Sequence, residues 1–113
     1  MAYIYKITNI ESGKVYVGKT IFTPERRWNE HRWALNRSKQ SKMLIHQAML
    51  NEGVECFRFD IIEECSERDV LEREIYWINE LNSHKEGYNA NTPREKNSLY
   101  NNLPNKHKKR PLM

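Results

Sequence analysis

Five side chains in this sequence combine a reactive type with an informative position. Tyr5 and Tyr16 lie in two short segments, Tyr3-Ile4-Tyr5 and Val15-Tyr16-Val17-Gly18-Lys19, that alternate at period two with β-branched or aromatic residues. Arg27 and His31 stand at i and i+4 on one helical face, flanked by Trp28 and Leu35. Glu74 sits in the middle of an apolar arc formed by Val70, Leu71, Trp77, Ile78 and Leu81. Phenols and imidazoles can handle protons, a guanidinium fork suits a phosphate oxygen, and a lone carboxylate can hold a hard divalent cation. Each group also has a plainer explanation. The tyrosines could simply pack a sheet, the histidine could be a satisfied core residue, and Glu74 could be half of a salt bridge to an arginine of the first helix. A carboxylate centred on a buried face needs a cation of one kind or the other, so metal ligand and salt bridge both stand for Glu74. An arginine one turn from a central histidine, with a central acid elsewhere, shifts the balance toward a common site.

The elements that must position these groups can be read along the chain. The two tyrosine segments, separated by a break containing Asn9, Ser12 and Gly13, read as a β-hairpin. Pairing symmetric about Ile10 and Glu11 would set Tyr5 opposite Tyr16, with both on one face. Thr23 as N-cap and Pro24 at the first helical position start a helix that runs to about Asn36. A polar loop from Arg37 to Ser41 leads to a second helix through Leu50, closed by Asn51-Glu52-Gly53. Cys56 to Glu63 alternates Phe57, Phe59 and Ile61 against Arg58 and Asp60, a third strand. Ser66 and Asp69 resemble a capping box that opens a third helix reaching about Leu81. Gly87-Tyr88-Asn89 reads as a turn or short extended segment, and beyond Asn91 apolar periodicity is lost.

Length and charge bound what such a chain can be. At 113 residues it is of single-domain size, with no internal repeat. Cys56 and Cys65 make neither a disulfide framework nor a zinc site by spacing. No signal peptide or membrane-length apolar run is present, so the expectation is a soluble, cytoplasmic protein. The net charge of +4 is unevenly spread. Lys14 to Lys42 carries eight basic residues against two acidic ones, and Glu52 to Glu86 carries eleven acidic residues against four basic ones. From Thr92 onward there are six basic residues against Glu95 alone. A basic first half and a basic tail suggest a polyanionic partner, nucleic acid above all.

On these residues the chain resembles the GIY-YIG nuclease family. Tyr3-Ile4-Tyr5, ten intervening residues and Tyr16-Val17-Gly18 form a two-part signature, with Tyr3 in place of the usual glycine. The match continues through Arg27, Trp28 and His31, the run Glu72 to Ile78, and Gly87-Tyr88-Asn89, covering roughly residues 1–91. The likeness is closest to the catalytic domains of intron-encoded and free-standing homing endonucleases. It is looser to the excision-repair incision nuclease, which Lys19 directly after Gly18 also resembles.

The resemblance implies an α+β domain in which a three-stranded antiparallel sheet is flanked by three helices. It implies a DNA endonuclease dependent on a divalent metal, Mg²⁺ or alternatively Mn²⁺, that leaves a 3′-hydroxyl and a 5′-phosphate. It makes Glu74 the metal-binding carboxylate, Tyr5 the general base and Tyr16 the second active-site hydroxyl. Arg27 would hold the scissile phosphate with His31 beside it as proton carrier or phosphate contact, while Lys19 and Asn89 support the site. Close relatives place a further histidine near Gln40, which this chain lacks. Residues 92–113 would be a flexible tail or linker remnant in which Lys106, Lys108, Lys109 and Arg110 contact DNA backbone phosphates. A non-catalytic nucleic-acid-binding module of the same fold and a repair or structure-specific nuclease are the competing functions.

Overall fold

In the computed structural model, residues 1–36 and 43–90 are described. Among these residues the elements run β1 (Ala2–Asn9), β2 (Val15–Thr20), α1 (Pro24–Asn36), α2 (Leu44–Glu52), β3 (Phe57–Cys65) and α3 (Val70–Leu81), with a 3₁₀ turn, Val54–Cys56, leading into β3. The α+β class, the three antiparallel strands and the three helices expected from the sequence are all present. The sheet order is β2-β1-β3, so β1 is central and β2 and β3 form the edges.

The central strand explains the layering. Side chains alternate across a strand, so a strand covered on both faces must be apolar on both. Ala2, Ile4, Tyr5 and Ile7 are all fully buried. Tyr5 and Ile7, with Phe57 and Phe59 of β3 and Tyr16 of β2, face α1 and α2 and pack with Trp28, Leu35, Ile45 and Met49. Ile4 and Val17 face the other way, onto Val70, Trp77, Ile78 and Leu81 of α3. The molecule is thus three layers deep, with two helices on one face of the sheet and α3 on the other.

The expected hairpin register fails, and so does the apolar alternation expected at the far end of β3. Tyr5 pairs with Gly18 and Tyr16 with Ile7, rather than Tyr5 with Tyr16. The turn is responsible. The Asn9 carboxamide accepts hydrogen bonds from the Glu11 N–H (3.0 Å) and the Ser12 N–H (3.2 Å), and the Gly13 N–H reaches the Asn9 carbonyl at 2.8 Å. Gly13 adopts φ +79°, which glycine reaches at no steric cost, and the hairpin closes around Ile10–Gly13. Because the shift is two positions and not one, Tyr5 and Tyr16 keep a common face. On the other side, the β1–β3 register shifts between Ile4 and Tyr5, so Tyr5 pairs with Ile61 while Ile4 pairs with Glu63. The extra residue, Ile62, packs toward α3, and Ile61 is left exposed instead of continuing the Phe57–Phe59 row into the core.

Helix ends follow local chemistry. The Thr23 hydroxyl accepts the Arg26 N–H at 3.2 Å, and α2 ends at Gly53 (φ +94°), whose N–H bonds the Met49 carbonyl. The Ser66 hydroxyl does accept the Asp69 N–H at 3.3 Å, but it closes a preceding turn, and α3 itself begins at Val70.

Candidate active site

Tyr5 is the hub. Its ring is fully buried and stacks on Phe59, centroids 4.9 Å apart. Its hydroxyl accepts the Arg27 Nε–H at 3.0 Å and lies 2.7 Å from His31 Nε2. The i, i+4 spacing on α1 therefore does what it promised: both side chains reach one phenol. Tyr16 completes the cluster, its ring 6.2 Å from that of Tyr5 and 5.8 Å from that of His31. Gly18 makes room for it. A Cβ built there would overlap the Tyr5 phenol, so the strand opposite Tyr5 tolerates no side chain.

Charge is distributed unevenly around this hub. Burial, then the neighbouring Tyr16, pushes the Tyr5 hydroxyl far above the ordinary phenol range. Burial and then the Glu74 charge push Tyr16 up as well. Burial, reinforced by Arg27 and His46, pushes His31 down to about 3, so its imidazole is neutral at physiological pH. Burial opposes the Arg27 charge, yet Tyr5 and Glu30 hold its pKa above the usual value. The Arg27 Nη1–H donates to Glu30 at 2.9 Å, which orients the guanidinium from outside while Tyr5 orients it from within.

Glu74 reaches the site from α3, on the opposite face of the sheet, and its charge is still felt at both phenols. It is buried, and its Oε1 lies 3.6 Å from Lys19 Nζ. An ion pair is thus made with β2. Among the described residues, no group of three or more His, Cys, Asp or Glu is arranged to hold a metal. A cleft of about 300 Å³ opens between the end of β2 and the start of α1, lined by Lys19, Thr20, Ile21, Phe22, Arg27, Glu30 and Val70. Asn89 acts from a distance: its carboxamide accepts the Val17 N–H (2.8 Å) and donates to the Val17 carbonyl (2.9 Å), pinning the strand that carries Tyr16 and Lys19.

One residue went unnoticed in the sequence. His46 of α2 is buried, with Nε2 2.9 Å from His31 Nδ1. Its neighbours Ile45 and Met49 dominate the apolar pattern of that helix, and the only hint was a second histidine on the helix following the first. Gln40 and the 37–42 loop, and the basic group Lys106, Lys108, Lys109 and Arg110, lie outside the described residues.

A family model described as the GIY-YIG catalytic domain matches residues 1–89 of this chain. The chain belongs to the GIY-YIG family. Within that family it is 39% identical over 88 residues to intron-associated endonuclease 1 of Enterobacteria phage T4, a match covering 76% of this chain and 35% of the phage protein. The chain thus spans about a third of that relative's length. Among solved structures, the catalytic domain of homing endonuclease I-TevI superposes with a TM-score of 0.70 at 33% identity, covering 80% of this chain and 99% of that one. A point mutant of the same domain matches equally well, with a TM-score of 0.70 at 34% identity, over 80% and 95% of the two chains. The GIY-YIG fold expected from the tyrosine signature is therefore present, and the relatives it resembles here are named as endonucleases. No helix among the described residues is long and apolar enough to cross a membrane.

Proposed function

We propose that this GIY-YIG domain is a divalent-metal-dependent DNA endonuclease that hydrolyses phosphodiester bonds to a 3′-hydroxyl and a 5′-phosphate. The observation that carries this reading is the Tyr5 hydroxyl held between Arg27 Nε and His31 Nε2, behind a cleft lined by Lys19 and Arg27. Residues 1–91 form the nuclease domain in this reading. The basic segment 92–113 adds sequence-independent contacts to backbone phosphates through Lys106, Lys108, Lys109 and Arg110.

The chain's own residues divide the work. Arg27 and Lys19 draw the scissile phosphate into the cleft, and Arg27 stabilises charge that builds on its oxygens. A phenol raised by burial does not ionise near neutral pH, so Tyr5 acts as a shuttle rather than as a standing phenolate. Its oxygen takes a proton from the attacking water while its own O–H bond breaks and the proton passes to His31 Nε2. The depressed His31 pKa keeps the imidazole neutral and so able to receive a proton, and the incoming phosphate charge favours the imidazolium that forms. Tyr16 supplies the second hydroxyl beside this centre, and Asn89 keeps β2 in place.

GIY-YIG nucleases generally depend on a divalent metal, and the donor set here fits a hard ion. Glu74 is a buried carboxylate already matched to positive charge, and Mg²⁺ is commonly held by one or two carboxylates completed by water and substrate oxygens. Bound there, Mg²⁺ or Mn²⁺ would supply Lewis-acid stabilisation of the charge developing on the phosphate. The test is incubation of the chain with supercoiled plasmid and Mg²⁺, beside Glu74→Ala. Nicking by the wild type that is lost in the variant supports the enzyme. Tight binding without cutting under any divalent metal would instead identify a non-catalytic binding module.

A further inference from the structure

The hydrogen-bond chain that begins at Arg27 does not stop at His31. The His46 imidazole, presented by α2, meets His31 edge-on with ring centroids 5.1 Å apart and Nε2 2.9 Å from His31 Nδ1. Both rings are nearly inaccessible, at 1% and 5% exposure. Buried imidazoles in contact must agree on which nitrogen carries each proton.

Arg27 Nε–H can only donate, so the Tyr5 oxygen is its acceptor. The Tyr5 oxygen can accept a second hydrogen bond, and Tyr16 is also within its reach, so two arrangements are open. The shuttle reading requires the one in which the Tyr5 O–H is donated to His31 Nε2, and that nitrogen is then bare. A neutral imidazole carries one N–H, so the His31 proton sits on Nδ1 and is donated to His46 Nε2. The opposite polarity, with His46 donating to His31, would put a proton on His31 Nε2 and remove the acceptor that faces Tyr5. The partner on Nδ1 thereby decides whether His31 can receive a proton at all.

We propose that His46 is a positioning residue that holds His31 in its Nδ1–H tautomer, keeping the Nε2 lone pair against the Tyr5 hydroxyl. The inference rests on the reading of Tyr5 and His31 as a proton-transfer pair, and it adds a residue from a third element, α2, to that pair. The role requires His46 to remain an acceptor at Nε2. Burial and then the Arg27 charge lower its pKa, which keeps it neutral and so able to accept.

The experiment measures single-turnover nicking of supercoiled plasmid with Mg²⁺ by the full chain, for the wild type, His46→Leu, His46→Gln and Tyr5→Phe. DNA affinity in Ca²⁺ and the ¹⁵N resonances of the His31 ring are recorded alongside. Leucine removes the acceptor, whereas the glutamine carbonyl can still take the His31 Nδ1–H. His46→Leu is expected to slow cleavage about 10- to 100-fold with unchanged DNA affinity, the usual size of loss for a residue that orients a working imidazole. His46→Gln is expected to recover to within about threefold of the wild type, because its carbonyl replaces the acceptor. The wild-type His31 ring should show its proton on Nδ1. A folded His46→Leu that cuts at the wild-type rate, or a wild-type His31 protonated on Nε2, would overturn the proposal. Should the leucine variant fail to fold, the glutamine rescue and the wild-type ring resonances still decide it. If Tyr5→Phe cuts as fast as the wild type, the proton-shuttle reading is wrong, whereas His31 in the other tautomer with Tyr5→Phe inactive rejects the His46 role alone.

Discussion

Replacing Gly18 by alanine adds one methyl group at the point where the structure has no room for it. The new Cβ would overlap the Tyr5 hydroxyl and Cζ and approach Cε1 to 2.9 Å. Gly18 has no left-handed backbone angle, so the conflict is purely steric. Tyr5 cannot easily yield, because its ring stacks on Phe59 and its hydroxyl is engaged by Arg27 and His31. Overpacking of this kind costs about 1–3 kcal/mol. For a domain of this size, each kcal/mol lowers the melting temperature by roughly 4–8 °C, so Tm should fall by about 5–20 °C. Relief by pushing Tyr5 aside would instead break its bonds to Arg27 and His31 and reduce nicking by about 100-fold, in the range lost with a proton-transfer group. The assays are thermal unfolding by circular dichroism and plasmid nicking, on Gly18→Ala alone and in a Tyr5→Ala background. In that background the methyl has a cavity to occupy, so the added cost of Gly18→Ala should nearly vanish. Unchanged Tm and unchanged nicking for the single variant would refute the argument that Tyr5 lies immovably across Gly18.

Other expectations follow from the same geometry. Arg27→Lys keeps the charge but loses the Nε–H to Tyr5 and the Nη1–H to Glu30, and should slow plasmid nicking at least about tenfold while leaving the fold intact. His31 and His46 both have folded-state pKa values below the ordinary histidine value, so the unfolded chain binds protons that the native one does not. Their stability contribution is complete above about pH 6.5 and is lost as pH falls toward the folded values, at up to about 1.4 kcal/mol per pH unit for each. Urea midpoints between pH 7 and 5 should decline accordingly, and less steeply in His31→Leu. Asn89→Ala leaves the Val17 N–H and carbonyl without their side-chain partner and should cost about 2 kcal/mol in chemical denaturation.

Much of this was legible in the sequence, for reasons that can be named. Thr23-Pro24 and Gly53 mark helix ends through local chemistry that no distant contact alters, and both ends fell where expected. The shared face of Tyr5 and Tyr16 survived because period two is indifferent to a shift of two residues. The exact register was not legible, since it depends on the Asn9 side chain closing the turn. Ile61 misled for a similar reason: a register shift between neighbouring strands leaves no mark on the alternation of one of them. Glu74 stood out as an acid among apolar residues, and its burial bears out that placement, but its pairing with Lys19 required knowing that α3 packs against β2. His46 was hidden because the two core residues beside it, Ile45 and Met49, account for the helix without it.

The Asn89 carboxamide has a consequence for self-association. A three-stranded sheet has two open margins, each able to recruit an extended segment from another molecule. At Val17 on β2 the side-chain amide already imitates a neighbouring strand, offering the same donor and acceptor that an intruding chain would bring. The Tyr88 N–H does likewise at the Val15 carbonyl. The opposite margin, β3, is studded with Arg58, Asp60, Glu63 and Glu64, charges that a docking strand would have to bury. Both margins therefore resist strand exchange, which leaves so small and so strongly charged a sheet protected against edge-to-edge aggregation.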